Sequence, residues 1–142
     1  MCAGQDRLAG YRAALEAEGR DYDEGLVSVG DFTAAGGHAA TLALLERRPD
    51  VDAIFAASDL AAFGVTRALR ETGRQVGDEV AVVGFDDIPA AAEQEPALST
   101  VRQPVPALGT AMTRLLLDRI EGRDVRPHRA VLPVELVLRE SA

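Results

Sequence analysis

The stretch Asp52-Ala-Ile-Phe-Ala-Ala-Ser-Asp-Leu-Ala-Ala-Phe-Gly64 decides the fold class. Its first six residues are short and nearly all apolar, which suits a strand buried on both faces, as in a parallel sheet. Ser58 and Asp59 interrupt the run. From Asp59 to about Thr72 the periodicity turns helical, with Leu60, Phe63 and Leu69 on one side and Gly73 closing the helix. A strand that passes directly into a helix is the unit from which α/β sheets are built.

The alternation continues outward in both directions. Upstream, residues 6–18 read as a helix, with Leu8, Tyr11, Ala14 and Leu15 on one face and Gly19 as its stop. Leu26 to Val29 read as a short strand. Thr33 or a neighbour opens a second helix that turns Ala39, Leu42 and Leu45 inward, and Pro49 breaks the chain after it. Downstream, Glu79 to Phe85 read as another buried strand. Residues 89–95 hold one helical turn, and Ser99 to Gln103 are extended ahead of Pro104. Residues 106–121 form a long amphipathic helix carrying Leu108, Met112, Leu115, Leu116 and Ile120, ended by Gly122. Residues 130–138 read as a last strand, which Pro133 demotes toward an edge. The order predicts an α/β fold: an open, mostly parallel sheet with helices on both faces and right-handed crossovers. No internal repeat interrupts it.

The 142 residues suffice for about one domain, and 47% hydrophobic with 27% charged residues is a globular balance. The net charge of −8 argues against this chain gripping phosphate backbones, where a basic patch is expected. The stretch after residue 100 is mildly basic, but its Arg residues are interleaved with acids. The lone Cys2 allows no internal disulfide and reads as a spectator near a frayed terminus. No run approaches the ~18 apolar residues of a membrane span. The opening MCAGQDRLAG lacks the pattern of a secretory signal, so the cytoplasm is the expected compartment. All fifteen basic residues are Arg, and Lys, Asn and Trp do not occur. This is codon bias of a GC-rich kind. It lowers the weight of any Arg standing where Lys would serve.

Ligands of open α/β sheets bind beyond the carboxyl ends of the strands. The sequence places Asp31 and Phe32, Ser58 and Asp59, and Asp86 and Asp87 at three such ends, with Arg7 opening the first helix at the same rim. Carboxylates accept hydroxyl protons, Arg donates a rigid fork and Phe offers a flat apolar face, so the set suits a polyol. Each member also has a plainer reading. Asp59 is a helix N-cap before it is a ligand contact, and it can be both. Asp86 and Asp87 are turn residues before Ile88 and Pro89, Phe32 can cover the core, and Arg7 can be a solvated helix residue. Enzyme signatures do not occur: no Gly-x-Gly-x-x-Gly, Walker loop, His-Glu-x-x-His, Cys-x-x-Cys or Gly-x-Ser-x-Gly. His38 in a helix and His128 in a loop read as isolated residues, not a dyad. Asp86 and Asp87 point to opposite sides of an extended chain, a poor arrangement for a shared proton. No catalytic residue, cofactor or metal is expected.

Six segments together resemble a known family. Asp52 to Gly64 is similar to the "AIFAANDxxAxG" segment of lactose-repressor-like (LacI/GalR) bacterial transcription regulators. Val80-Ala-Val-Val-Gly-Phe-Asp-Asp-Ile-Pro89 resembles their "VVGFDDIP", and Pro96-Ala-Leu-Ser-Thr-Val-Arg-Gln-Pro104 their "PPLTTVRQP". Gly109, Ala111, Leu115, Leu116 and Ile120 match the following helix, and Pro133 to Ser141 the closing "LPxELVxRxS". Arg7-Leu-Ala-Gly-Tyr with Ala14 and Leu15 resembles "RxxGF…AL". The match covers nearly the whole chain in order and spacing. It implies the second lobe of a periplasmic-binding-protein-like core. It also implies an effector cleft lined by Arg7, Phe32, Ser58 and Asp86, with Gln103 near the crossover between lobes. Ser58 departs from the usual Asn, and a hydroxyl has a shorter reach and fewer hydrogen-bonding groups than an amide.

The resemblance further implies a reading of the chain's extent. Residues 1–103 correspond to a second lobe lacking its first strand, 104–122 to a helix that packs on a missing first lobe, and 123–142 to a returning strand and tail. The helix-turn-helix, hinge and first lobe have no counterpart, so the chain reads as a C-terminal fragment with Met1 an internal methionine. The function implied is that of an allosteric sensor. A small effector, a sugar or polyol, closes two lobes and alters DNA affinity in a homodimeric full-length protein, without a membrane. DNA is contacted only through the missing N-terminal domain. The alternative is a fragment of a sugar-binding transport protein, which a signal peptide on the full-length gene would reveal. A small α/β enzyme is the third reading, disfavoured because no catalytic constellation stands out.

Overall fold

A computed structural model describes residues 3–123 and 130–142, so the expectations placed on Met1, Cys2 and His128 lie outside the described residues. In chain order the elements are α1 (Ala3–Ala17), a 3-10 turn (Glu24–Leu26), α2 (Ala34–Arg47), β1 (Ala53–Phe55), α3 (Asp59–Glu71), β2 (Ala81–Asp86), α4 (Pro89–Ala92), β3 (Ser99–Arg102), α5 (Val105–Ile120) and β4 (Glu135–Val137). The strands form one sheet in the order β1-β2-β3-β4. β1, β2 and β3 run parallel, and β4 pairs antiparallel with β3. The mostly parallel open sheet is the one expected. β4 begins two residues after Pro133 and lies at the end of the strand order, as a strand preceded by proline should.

The core lies where α2 and α3 meet and where α3 covers β2. Leu69, Val80, Val82 and Leu98 are fully buried. α2 buries Gly37, Thr41, Leu44 and Leu45, and α3 buries Ala61, Ala62, Val65, Ala68 and Leu69. Both sets follow the helical stripe of i, i+3, i+4 and i+7. The two helices approach backbone to backbone. A Cβ at Gly64 would overlap the Ala34 carbonyl and sit 2.6 Å from the His38 nitrogen. A Cβ at Gly37 would overlap the Ala61 carbonyl. The contact face is therefore made of small residues. That corrects the expected faces: Ala39 is exposed, Leu60 is 50% exposed, and Leu44 turns inward beside Leu45.

Two strand expectations also change. Leu26 to Val29 form no strand. Leu26 closes the 3-10 turn, the Val27 N–H bonds back to the Glu24 carbonyl, and Val29 is 94% exposed. A strand exists only as part of a ladder, and among the described residues no strand pairs with this segment. β1 is not buried on both faces either. It is the terminal strand of the sheet, and Phe55 is 46% exposed.

The chain end is fastened by Ser141. Its hydroxyl donates to the Val82 carbonyl at 2.6 Å and accepts the Ser99 N–H at 2.8 Å. Its own carbonyl accepts the Val82 N–H at 2.7 Å. This closing contact ties β2 and β3 together from outside the ladder.

Candidate functional site

β2 ends at Asp86 (φ 128°), and both it and Asp87 just after it (φ 58°) have left-handed backbone. Phe32 (φ 65°) is the other non-glycine residue of this kind among the described residues. Such conformations cost ~1–3 kcal/mol each and persist where the surroundings over-determine them, often at functional sites. Here the surroundings are specific. The Ile88 N–H donates to Asp59 Oδ2 at 2.9 Å, and the Thr100 hydroxyl donates to Asp59 Oδ1 at 2.5 Å. Asp59 is fully buried, and its carboxylate thereby pins the turn after Asp87 to β3.

The two aspartates have separate partners. Asp87 accepts from Arg102 Nε at 2.6 Å and from Arg139 Nη2 at 2.7 Å. Asp86 accepts from the Gln103 amide at 2.5 Å. Arg7 Nη2 lies 3.9 Å from the same Asp86 oxygen, too far for a hydrogen bond. The Arg7 guanidinium sits over the Phe85 ring at 3.9 Å and near the Phe32 ring at 5.7 Å, which places it in cation–π contact. Its Nε is buried and has no hydrogen-bond partner among the described residues. An unpaired buried donor costs ~1–3 kcal/mol and calls for an explanation.

Ser58 corrects the helix-cap reading. The N-cap of α3 is Ser58, not Asp59, and its Oγ accepts the Ala61 N–H at 3.1 Å. The same hydroxyl donates to the Phe32 carbonyl at 3.1 Å. Phe32 itself lies in a turn that Asp31 and Thr33 organise. Asp31 Oδ1 accepts the Thr33 N–H and hydroxyl, which holds its carboxyl below the ordinary aspartate value, and Thr33 caps α2 through Gly36. Thr33 opens that helix as expected.

Arg7, Phe32, Ser58 and Asp86 thus form one continuous chain of contacts beside the carboxyl ends of β1 and β2. Phe32, however, follows no strand among the described residues, and Arg7 lies in the second turn of α1, which begins at Ala3, and does not open it. Sequence reasoning missed Phe85, which carries the closest stack on Arg7. Its signal was its place directly before Asp86; strict strand alternation sends the two to opposite faces, and the left-handed turn at Asp86 removes that separation. A groove of about 750 Å³ lies elsewhere, between the 27–31 segment and α2, and contains none of the four residues. His38 is no part of the site: its Nε2 meets Glu71 at 2.6 Å and joins α2 to α3.

A carboxylate, a guanidinium with an unpaired donor and two aromatic faces fit a ligand with hydroxyls on an apolar ring. The periplasmic binding protein-like domain matches residues 2–142. The chain belongs to this family. The HTH-type transcriptional regulator CelR of Thermobifida fusca is 53% identical over 141 residues, covering 99% of this chain and 42% of that protein. The ribose operon repressor of Halalkalibacterium halodurans is 36% identical, covering 96% of this chain and 40% of that protein. Among solved structures, a transcriptional regulator CelR–cellobiose complex matches with a TM-score of 0.95 at 53% identity, over 100% of this chain and 43% of that one. These relatives bear out the resemblance to LacI-type regulators read from the motifs. The chain spans about two fifths of their length.

Proposed function

We propose that this chain is the effector-binding portion of a LacI-type transcription regulator and that it takes a sugar in a cleft formed by Arg7, Phe32, Ser58 and Asp86. The observation that carries the reading is the Ser58–Phe32–Arg7–Asp86 contact chain, with its unpaired Arg7 donor, at the strand ends. The relative solved with cellobiose makes that disaccharide the first candidate. Residues 104–122 cross to a first lobe in the longer protein, 123–142 return, and the protein works in the cytoplasm as a homodimer. Sugar binding there changes DNA affinity by a coupling of ~1–3 kcal/mol. The chain binds and does not catalyse, and DNA contact belongs to parts of the longer protein that it does not span. The transport-protein alternative is less supported, because the relatives are transcriptional regulators.

Titration calorimetry with cellobiose, and with ribose as a control, tests the reading in the full-length protein. Asp86 offers two acceptor oxygens in a partly covered site, and charge-assisted hydrogen bonds contribute ~1.5–3 kcal/mol each. Asp86→Ala is therefore expected to weaken cellobiose binding by about a hundredfold, near 3 kcal/mol, while operator binding is unchanged. An unaltered titration curve would remove Asp86 from the site.

A further inference from the structure

We propose that Ser58 is a positioning residue that acts on the ligand through Phe32 instead of touching it as a donor. The inference rests on the sugar reading above. A serine hydroxyl has one proton and two lone pairs. The proton goes to the Phe32 carbonyl at 3.1 Å, and one lone pair takes the Ala61 N–H at 3.1 Å. Ser58 is 6% exposed, so what remains for a ligand is a single acceptor lone pair in a nearly closed position.

What Ser58 holds is unusual. A bulky residue avoids positive φ, yet Phe32 stands at 65°. The Asp31–Thr33 turn shapes the loop locally through the Thr33 N–H and hydroxyl, but it leaves the Phe32 carbonyl unbound. Ser58 supplies that bond from 26 residues away, on the N-terminus of α3. The peptide plane after Phe32 is thereby fixed to the helix that follows β1. Phe32 in this conformation places its ring against α1, where a Cβ on Gly4 would touch it at 3.4 Å, and 5.7 Å from the Arg7 guanidinium. The hydroxyl of Ser58 therefore sets the position of the aromatic face and, through it, one wall around Arg7.

The test uses the isotopically labelled full-length protein in four forms: wild type, Ser58→Thr, Ser58→Gly and Ser58→Asp. Thr keeps the hydroxyl. Gly removes it with little loss as an N-cap. Asp keeps the cap but has no proton to donate, so it decides the matter should the Gly form fail to fold. Two readouts are taken by NMR: the strong intraresidue amide–Hα contact that marks positive φ at Phe32, and shift changes on titration with cellobiose. Wild type and Ser58→Thr are expected to keep both. Ser58→Gly and Ser58→Asp are expected to lose the positive-φ signature and to bind cellobiose roughly five- to tenfold more weakly, the worth of one hydrogen bond. At saturation they should still shift Asp86 and Gln103.

If the Gly and Asp forms keep positive φ at Phe32, the Asp31–Thr33 turn suffices and the proposal falls. If affinity drops while Phe32 is unmoved, Ser58 contacts the sugar directly and the proposal also falls. If wild type itself ignores cellobiose, the sugar reading fails, and the Phe32 signature in the variants alone upholds or overturns the link from Ser58.

Discussion

Asp86 and Asp87 are the same residue type at adjacent positions, and their surroundings give them different partners. Asp87 is 8% exposed, and its two oxygens are taken by Arg102 and Arg139, the second of which also donates to the Leu98 carbonyl at 2.7 Å. Burial pushes its carboxyl pKa up, and the hydrogen bonds from Arg139 and Arg102 outweigh that and hold it below the ordinary 3.8. Asp86 is 32% exposed and has one amide donor and a distant guanidinium, which leaves acceptor capacity for a ligand. A depressed folded-state pKa gives stability that is present above the unfolded value and lost as pH falls through the folded one. Asp87→Asn removes the charge and strands Arg139, itself 18% exposed. It should cost about 3 kcal/mol at pH 7. The gap between variant and wild type should narrow below pH ~4, as the wild-type carboxyl takes up its proton. Denaturant melts at several pH values measure both, and a gap of constant size from pH 7 to pH 3 would show that the arginines do not act through the charge.

At the scale of elements, the α2–α3 contact decides which substitutions the fold accepts. Gly64→Ala gains about 1 kcal/mol of helix propensity but drives a methyl group into the Ala34 backbone, which cannot swing aside. Overpacking costs ~1–3 kcal/mol, and at its upper end against backbone, so a net loss of about 2 kcal/mol is expected. Gly109→Ala on α5 meets nothing within 4 Å and should instead stabilise by up to about 1 kcal/mol. Opposite signs in thermal melts are the expected result, and equal signs would refute the close-approach argument. The same contact shows what the sequence could and could not tell. Helices and the strands β1, β2 and β3 were legible because apolar periodicity is local. The inward faces of α2 and α3 were not, because Ala-rich helices look apolar all round and the true face was marked by glycines. Leu26 to Val29 read as a strand by composition, but a ladder partner is a property of the whole sheet. The rule that ligands bind beyond strand ends pointed to Ser58 and Asp86, which follow β1 and close β2, but its premise fails for Phe32, which follows no described strand, and Arg7 lies within α1. The Ser58–Phe32 bond and the Phe85 stack were not legible, because both depend on left-handed backbone that no periodicity records.

At the scale of the molecule, α5 sets the solution behaviour of the 142-residue chain. Val105, Met112, Leu116 and Ile120 are each 60% exposed or more, and no residue of α5 is buried. On β4 and beside it, Val134, Leu136 and Leu138 are also more than half exposed. Covering one such side chain is worth ~1.5–3 kcal/mol, so the four on α5 alone compare with a domain's whole margin of ~5–15 kcal/mol. The net charge of −8 opposes association, but charges are screened beyond ~8 Å at physiological salt, whereas apolar contact acts within that range. The short-range term should win. The chain is expected to self-associate as its concentration rises at 0.15 M salt, and to do so less at low salt, where repulsion reaches further. Chromatography with light scattering follows the mass, and the double variant Leu116→Glu, Ile120→Glu should return it to a monomer without lowering the melting temperature, because both side chains already face water. A wild-type chain that stays monomeric at every concentration and melts sharply above about 65 °C, beyond the usual mesophile range, would mean that the stripe carries no such driving force.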